Sequence, residues 1–547
     1  MDREVEAELQ AVEEQGIRAN PYRAGRSMAV GRQGMVASHN IFATQAGLDA
    51  LKSGGRAMDA AVAAAAVMAV TEPMWTGLGG DVFFLYFEAK TGKIYGLNGS
   101  GRSPAGLSRA HFKEKGLTGI KPTSWEAVTV PGGVDAWAEG IKRFGTQSLA
   151  HALAPAMDYA ENGFPVPERT ARFWDAFSGF LKNNPAAGRI YLPGGKPPAT
   201  GQVFKNPVIA AALKQVAEGG RDAFYLGPIA EEIVRCAQET GGFLSMEDFA
   251  AHSSTWVEPI SADYHGHEVF QIPPNGQGIC VLLMLNMLEG IDLEAVTYYS
   301  ADYFHLLIET AKLAYADLYQ YTADPETVRV PIQYLLSKEY AAERRKLIDP
   351  AKAAAMVNPG LPPGGDTVYL SAMDAEGNAV SFINSIYYPF GSRIVGGKTG
   401  IILQNRGFGF TLEPGHLNEY APRKRPFHTI IPGMVKKDGR LYLSYGLAGG
   451  PVQPQVQVQI LLSHLNYGLT LQEAIDIPRC NYLEGMNIQC EPGISRDIIM
   501  QLERMGHKVV PWIGWLFGFA QAVMADPMTG TYLGASDPRS DSAALGF

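Results

Sequence analysis

Two spacings of apolar residues divide this chain. Residues 130–255 and 290–350 repeat mainly with a helical period, as in "GGVDAWAEGIKRFG", "IAEEIVRCAQETGG", "YFHLLIETAKLAYADLY" and "SKEYAAERRKLI". Apolar side chains three and four apart gather on one helix face. "IFATQAGLDALKSGGRAMDAAVAAAAVMAV" predicts two helices parted by Ser53, Gly54 and Gly55. Residues 60–70 of that stretch would span about 17 Å as a helix, well short of a roughly 30 Å bilayer core, so a buried helix is expected and no membrane span. "GMVASHN" predicts a short strand, and "GLGGDVFFLYFEAKTGKIYGLNGSGRSP" predicts a hairpin around Thr91 and Gly92 followed by a Gly/Ser/Arg loop at 98–104.

From Thr367 the alternation of strands takes over, in "TVYLSAMD", "NAVSFINSIYY", "TGIILQN" and "HTIIPGMVKKDGRLYLSYGLAG". Helices return at "QVQVQILLSHLNYG" and "LTLQEAIDIP", and "QAVMADPMTGTYLGASD" closes as a strand. Helices, then sheets, then helices predict packed antiparallel sheets covered by helices, an α+β architecture. No internal repeat or low-complexity tract interrupts it.

Composition narrows the function classes. The 547 residues are 46% hydrophobic and 18% charged, enough for a large core. A net charge of -9, with no basic run longer than "APRKRP", argues against a nucleic-acid partner. The first twenty residues are acidic, helical in period and without the basic and apolar regions of a secretory signal, so a cytoplasmic chain is expected. Cys236, Cys280, Cys480 and Cys490 are scattered, with no paired-cysteine motif and no histidine at ligand spacing; they are expected to be reduced core residues. No metal or cofactor is expected.

One stretch carries chemistry. In "PPGGDTVYLSAMDAEGNAV", helix-breaking Pro362, Pro363, Gly364 and Gly365 lead through Asp366 to a threonine that opens a strand ending at a turn of Glu376, Gly377 and Asn378. A threonine hydroxyl is a weak nucleophile without a base, and a free α-amino group on the same residue supplies one. A cut between Asp366 and Thr367 would create that pairing. Gly449 and Gly450 in "GLAGGPVQPQ" are candidates for oxyanion donors, since a backbone without side chains approaches a ligand closely. Arg102, between Gly101 and Ser103, is a candidate to clamp a substrate carboxylate.

In order along the chain, "GMVASHNIFATQAGLDALKSGGRAMDAAVAAAAV", "GLGGDVFF", "GSGRSPAG", "AKLAYADLYQYTADP", "GDTVYLSAMDAEGNAVSFINS", "FGSRIV", "GIILQN", "RKRPFHTIIPGMV", "GLAGGPVQPQ" and "GASDPRSDSAALGF" together resemble the γ-glutamyltranspeptidase family of N-terminal-nucleophile hydrolases. The resemblance runs from about residue 30 to the C-terminus. It implies an αββα four-layer sandwich made as a proenzyme. Self-cleavage would separate a large subunit, residues 1–366, from a small catalytic subunit, residues 367–547, and the two would stay together; further homo-oligomerisation stays open. It further implies Thr367 as nucleophile, Ser385 as the hydroxyl that holds the threonine amine, Arg102 as the carboxylate-binding arginine, and Gly449 with Gly450 as the oxyanion hole.

Four places depart from the family pattern. Tyr387 stands for an asparagine that contacts the substrate amine, Arg406 for a glutamine, Gly409 for the aspartate that pairs with the α-ammonium of glutamate, and His428 with Thr429 for a serine pair at the α-carboxylate. The segment between Phe410 and Arg425 is short, so the lid loop of typical members is missing. The substrate implied is a small amide with an acidic acyl group, γ-glutamyl or des-amino, cleaved by hydrolysis in preference to transfer. Glutaryl-cephalosporin acylase and oxamate amidohydrolase activities are alternatives, glutathione stays a candidate because the catalytic core is intact, and an unprocessed, non-catalytic scaffold is the reading from another class.

Overall fold

The structure is a computed structural model that describes residues 25–182, 184–355, 366–511 and 517–547. The acidic first twenty residues and the Pro/Gly linker at 362–365 lie outside the described residues. Two antiparallel seven-stranded sheets stack face to face. One runs Ala543–Gly546, Met35–Ser38, Asp366–Met373, Ala379–Tyr387, Asp81–Glu88, Lys93–Asn98, Thr255–Val257. The other runs Ala29–Gly31, Tyr532–Ser536, Phe519–Ala525, Arg440–Ala448, Gly433–Lys437, His267–Gln271, Ile260–Tyr264.

The alternation along the strands decides which layer each side chain enters. From Asp366–Met373, Val368, Leu370 and Ala372 join one core with Phe84, Tyr86 and the helices Ile41–Lys52 and Ala57–Thr71. Tyr369 and Met373 point the opposite way, into a second core with Phe83, Leu85, Met434 and Leu443 between the sheets. This second core continues into the helices Gly278–Leu288, Ala301–Tyr321 and Gln453–Leu465 on the far side. The result is the expected four-layer αββα sandwich. Full burial of a side chain such as Phe83 stabilises by roughly 1.5 to 3 kcal/mol. Every residue of Ala57–Thr71 is buried, as its all-round apolar composition predicts. Among the described residues no helix is long and apolar enough to cross a membrane.

Each sheet interleaves strands from before and after residue 366. Asp366–Met373 lies between Met35–Ser38 and Ala379–Tyr387, and Arg440–Ala448 and Gly433–Lys437 continue into His267–Gln271. A break in the chain at 366 would therefore leave both pieces sharing ladders and cores.

Three local expectations are corrected. "TGIILQN" forms no strand, only a single bridge between Val395 and Ile402, because its backbone bonds loops instead: Gln404 N–H donates to Gly79 and Ser392 N–H to Leu403. The closing segment is a hairpin of Phe519–Ala525 with Tyr532–Ser536, since "DPMTG" turns the chain. Cys480 and Cys490, expected to be reduced, face each other across the strand pair Cys480–Glu484 and Asn487–Cys490 and form a disulfide. A pairing made by strand register leaves no cysteine motif in the sequence.

Candidate functional site

Three strand ends meet at one edge of the inner face. Asp366 is opposite Tyr387 and Val368 opposite Asn384, so the register slips by a bulge at Thr367. On the next strand Ser385 is opposite Asp81. Thr367, Ser385 and Asp81 are thus neighbours, and all three are buried. A bulge re-aims the side chain it carries. Here the Thr367 hydroxyl donates to Ser385 Oγ at 3.2 Å.

Ser385 Oγ also accepts from the Tyr387 N–H at 2.9 Å and from Arg406 Nη2 at 2.8 Å. Arg406 opens the short turn Arg406–Gly409, and its Nη1 donates to Thr429 Oγ1 at 2.8 Å. Its guanidinium lies 4.2 Å from the centre of the Tyr387 ring, a cation–π arrangement that holds a desolvated charge. Burial lowers Arg406 to about 10, opposed by Tyr387 and Asp81, so it stays charged near neutrality. Burial pushes the Tyr387 phenol up to about 12, opposed by Arg406. Five of the sequence candidates, Thr367, Ser385, Tyr387, Arg406 and Thr429, form one connected cluster.

Asp81 is a site residue the sequence reading missed. It sits inside "GLGGDVFF", and its only signal was an acid at the mouth of an apolar strand. Its Oδ1 accepts from the N–H groups of Gly101 and Gly132, both at 3.1 Å, and from Gln404 Nε2 at 2.9 Å. Its Oδ2 accepts from His428 Nε2 at 3.1 Å. His428 Nδ1 accepts from the Ile430 N–H, which assigns the ring proton to Nε2. Burial keeps His428 well below its ordinary value, with Arg406 adding to the effect, so the ring is neutral. Burial raises Asp81 to about 6, opposed first by Arg406 and then by its hydrogen bonds.

The glycine pair ends the strand Arg440–Ala448. Gly449 has φ 143° and Gly450 φ 53°, conformations that other residues resist. Facing register brings the pair toward Thr367. Ser371 Oγ meets Ser444 Oγ at 2.7 Å, and a Cβ on Gly446 would lie 2.6 Å from the Tyr369 ring. Two further residues along each strand lead to Thr367 on one side and Ala448 with Gly449 on the other. No described residue accepts from the N–H of Gly449 or Gly450. Gln277 Nε2 ties this turn to the cluster, donating to the carbonyls of both Gly450 and Thr429.

Two candidates are placed differently. The Arg102 guanidinium donates to both oxygens of Glu326, at 2.8 and 2.7 Å, and so already holds a carboxylate of its own chain. Gly409, where the family pattern has an aspartate, packs so that a Cβ would lie 2.7 Å from the Phe427 carbonyl oxygen. Elsewhere, His305, Glu309 and His507 bring three ligand-type atoms within 4.8 Å. Lys312 Nζ lies 2.7 Å from Glu309 there and supplies the cation, which makes the group an ion-pair network.

The family model for gamma-glutamyltranspeptidase matches residues 43–547. The glutathione hydrolase-like YwrD proenzyme of Bacillus subtilis is 40% identical, over 95% of this chain and 99% of that protein. The oxamate amidohydrolase proenzyme of Klebsiella pneumoniae is 33% identical, over 95% of this chain and all of that protein. The crystal structure of a cephalosporin acylase from Bacillus halodurans superposes with a TM-score of 0.90 at 40% identity, covering 97% of this chain and 99% of that one. The chain belongs to the gamma-glutamyltranspeptidase family of N-terminal-nucleophile hydrolases.

Proposed function

We propose that the protein is a self-processed amidohydrolase in which Thr367 attacks amides of acidic acyl groups. The observation that carries this reading is the hydrogen-bonded line from Thr367 Oγ1 through Ser385 Oγ to the Arg406 guanidinium. It sets a nucleophile, its positioning hydroxyl and an anion receptor in one buried site. The proenzyme names of the relatives fit a precursor that is cut.

In processing, Thr367 Oγ1 adds to the Asp366 carbonyl carbon, the C–N bond breaks, and the hydroxyl proton passes to nitrogen, which becomes the α-amine. Water then hydrolyses the ester and restores the hydroxyl. In turnover the α-amine, with an ordinary pKa of about 8, takes the Thr367 proton as Oγ1 attacks the substrate carbonyl. The N–H groups of Gly449 and Gly450 bind the oxyanion, worth about 3 kcal/mol per donor in comparable sites. The leaving amine departs with the proton, and water releases the acid. Hydrolysis is read as favoured over transfer to a second amine.

Mass spectrometry of enzyme mixed briefly with an acidic acyl p-nitroanilide tests this. An acyl adduct on the peptide that begins at Thr367 is expected, and an adduct on another residue, or turnover without any adduct in a Thr367→Ala variant, overturns it.

A further inference from the structure

The turn that carries the glycine pair has its carbonyls held largely from outside itself. Gln277 Nε2 donates to the Gly450 carbonyl at 2.8 Å and to the Thr429 carbonyl at 2.6 Å. The next carbonyl, of Pro451, accepts from the Tyr315 hydroxyl. Gln277 and Tyr315 both precede residue 366, so a cut there leaves the turn on one piece and the side chains that hold it on the other.

Carbonyl and N–H point in opposite directions across a planar trans peptide. The Gly449 carbonyl accepts from the Val452 N–H at 3.3 Å, inside the turn, so the Gly450 N–H faces outward. Pro451 brings no N–H of its own. Gly450, at φ 53°, has the wide rotational freedom of a glycine, and the bond from Gln277 to its carbonyl removes that freedom.

The same amide closes a circuit. Hydrogen bonds run from Thr367 to Ser385, through Arg406 to the Thr429 hydroxyl, and from the Thr429 carbonyl through Gln277 to Gly450. Nucleophile and oxyanion turn are thus fixed to each other by a side chain from the piece before residue 366. The Gln277 backbone is set in turn by its loop. Its N–H donates to the His428 carbonyl at 3.0 Å, and the His428 N–H donates to the Asn275 carbonyl at 2.9 Å.

Packing alone does not call for an amide here. Gln277 is fully buried, directly precedes the apolar helix Gly278–Leu288 and makes no side-chain capping bond to it. Its Oε1 has no partner among the described residues. A buried amide satisfied only on its nitrogen is costly beside an apolar side chain, so its two bonds into the site account for it better than packing does.

We infer that Gln277 is the positioning residue of the oxyanion hole, holding the Gly450 N–H in register with Thr367 once the chain is cut; this rests on the reading of Thr367 as nucleophile and of Gly449 with Gly450 as oxyanion donors. Gln277 acts through the Gly450 peptide and not on the substrate. The bond it orients reaches full strength only as the attacked carbonyl oxygen becomes an oxyanion, so its loss falls on kcat and spares KM.

The test compares wild type with Gln277→Met, Gln277→Glu and Gln277→Asn on an acidic acyl p-nitroanilide, with kcat expressed per mole of processed chain read from denaturing gels. Gln277→Met keeps the length and loses both donors, Gln277→Glu sets a carboxylate against the two carbonyls, and Gln277→Asn is one methylene short. A misplacement of about 1 Å costs on the order of a hundredfold in such sites. All three are expected to lose ten- to a hundredfold in kcat with KM within threefold of wild type. A loss below tenfold, or one carried by KM, overturns the inference. Failure of all three variants to fold or process also overturns it, and makes Gln277 a packing residue. The acyl adduct on Thr367 is read in the same wild-type preparation: its absence overturns the nucleophile reading as well, whereas its presence beside variants of unchanged kcat overturns only the role of Gln277.

Discussion

Arg406 Nη2 donates to Ser385 Oγ at 2.8 Å, and the same oxygen receives the Thr367 hydroxyl at 3.2 Å. One serine therefore couples the cation to the nucleophile. Ser385→Ala removes the acceptor that the Thr367 hydroxyl, the Tyr387 N–H and Arg406 Nη2 share, at about 1 to 3 kcal/mol for a buried donor left unpaired. Slower processing by about ten- to a hundredfold is expected from time courses on denaturing gels, with Ser385→Thr closer to wild type. Processing of Ser385→Ala at the wild-type rate would remove Ser385 from the mechanism.

Arg102 separates the family expectation from the structure. Its guanidinium is held by both oxygens of Glu326, which Arg425 shares. Arg102→Ala is expected to raise KM for acidic amides by less than about threefold, because the group lost is a partly exposed ion pair worth about 1 kcal/mol or less. A rise of ten- to a hundredfold, with kcat preserved, would instead place Arg102 on the substrate carboxylate.

Gly409 looked like the place to restore an ammonium-binding acid. The contact of 2.7 Å between a Cβ at 409 and the Phe427 carbonyl oxygen opposes that, since backbone must shift to admit it. Gly409→Asp should lose about 1 to 3 kcal/mol of stability by overpacking and gain no γ-glutamyl activity. A variant of unchanged melting temperature that hydrolyses γ-glutamyl anilide would show that the turn at Arg406–Gly409 yields easily.

Much of the fold was legible because it is written locally. Ser53, Gly54 and Gly55 divide two periodic helices, and Gly377, at φ 84°, turns the hairpin that brings Thr367 to Ser385. The pairing of Asp81 with His428 spans 347 positions and depends on two strands and a loop from different parts of the chain. No period or turn signal encodes it. "TGIILQN" has strand composition and still forms none, because the neighbouring backbone that would pair with it is loop. Thr367 was named from its linker and the strand it opens, and Ser385, Tyr387 and Arg406 from the family pattern, whereas the hydrogen bonds that join them became visible only in the fold.

Asp81 gives a pH dependence with a definite sign. Burial raises it from 3.8 to about 6, so the folded state binds more protons than the unfolded state between about pH 4 and 6. Its contribution to stability is therefore present below about pH 4 and is lost as pH rises through 6, by about 3 kcal/mol at full effect. Asp81→Asn should flatten this slope in denaturant unfolding measured from pH 4 to 7. An unchanged slope would assign the titration to another group.

The central claim is that Thr367 becomes the N-terminus and the nucleophile. Intact mass and N-terminal sequencing of the purified protein, after prolonged incubation, test it most directly. Residues 367–547 should appear as a 181-residue fragment beginning Thr-Val-Tyr-Leu, bound to the larger piece under native conditions and absent from Thr367→Ala. A chain that stays at full length, or a cut at any other bond accompanied by full amidase activity, would contradict it.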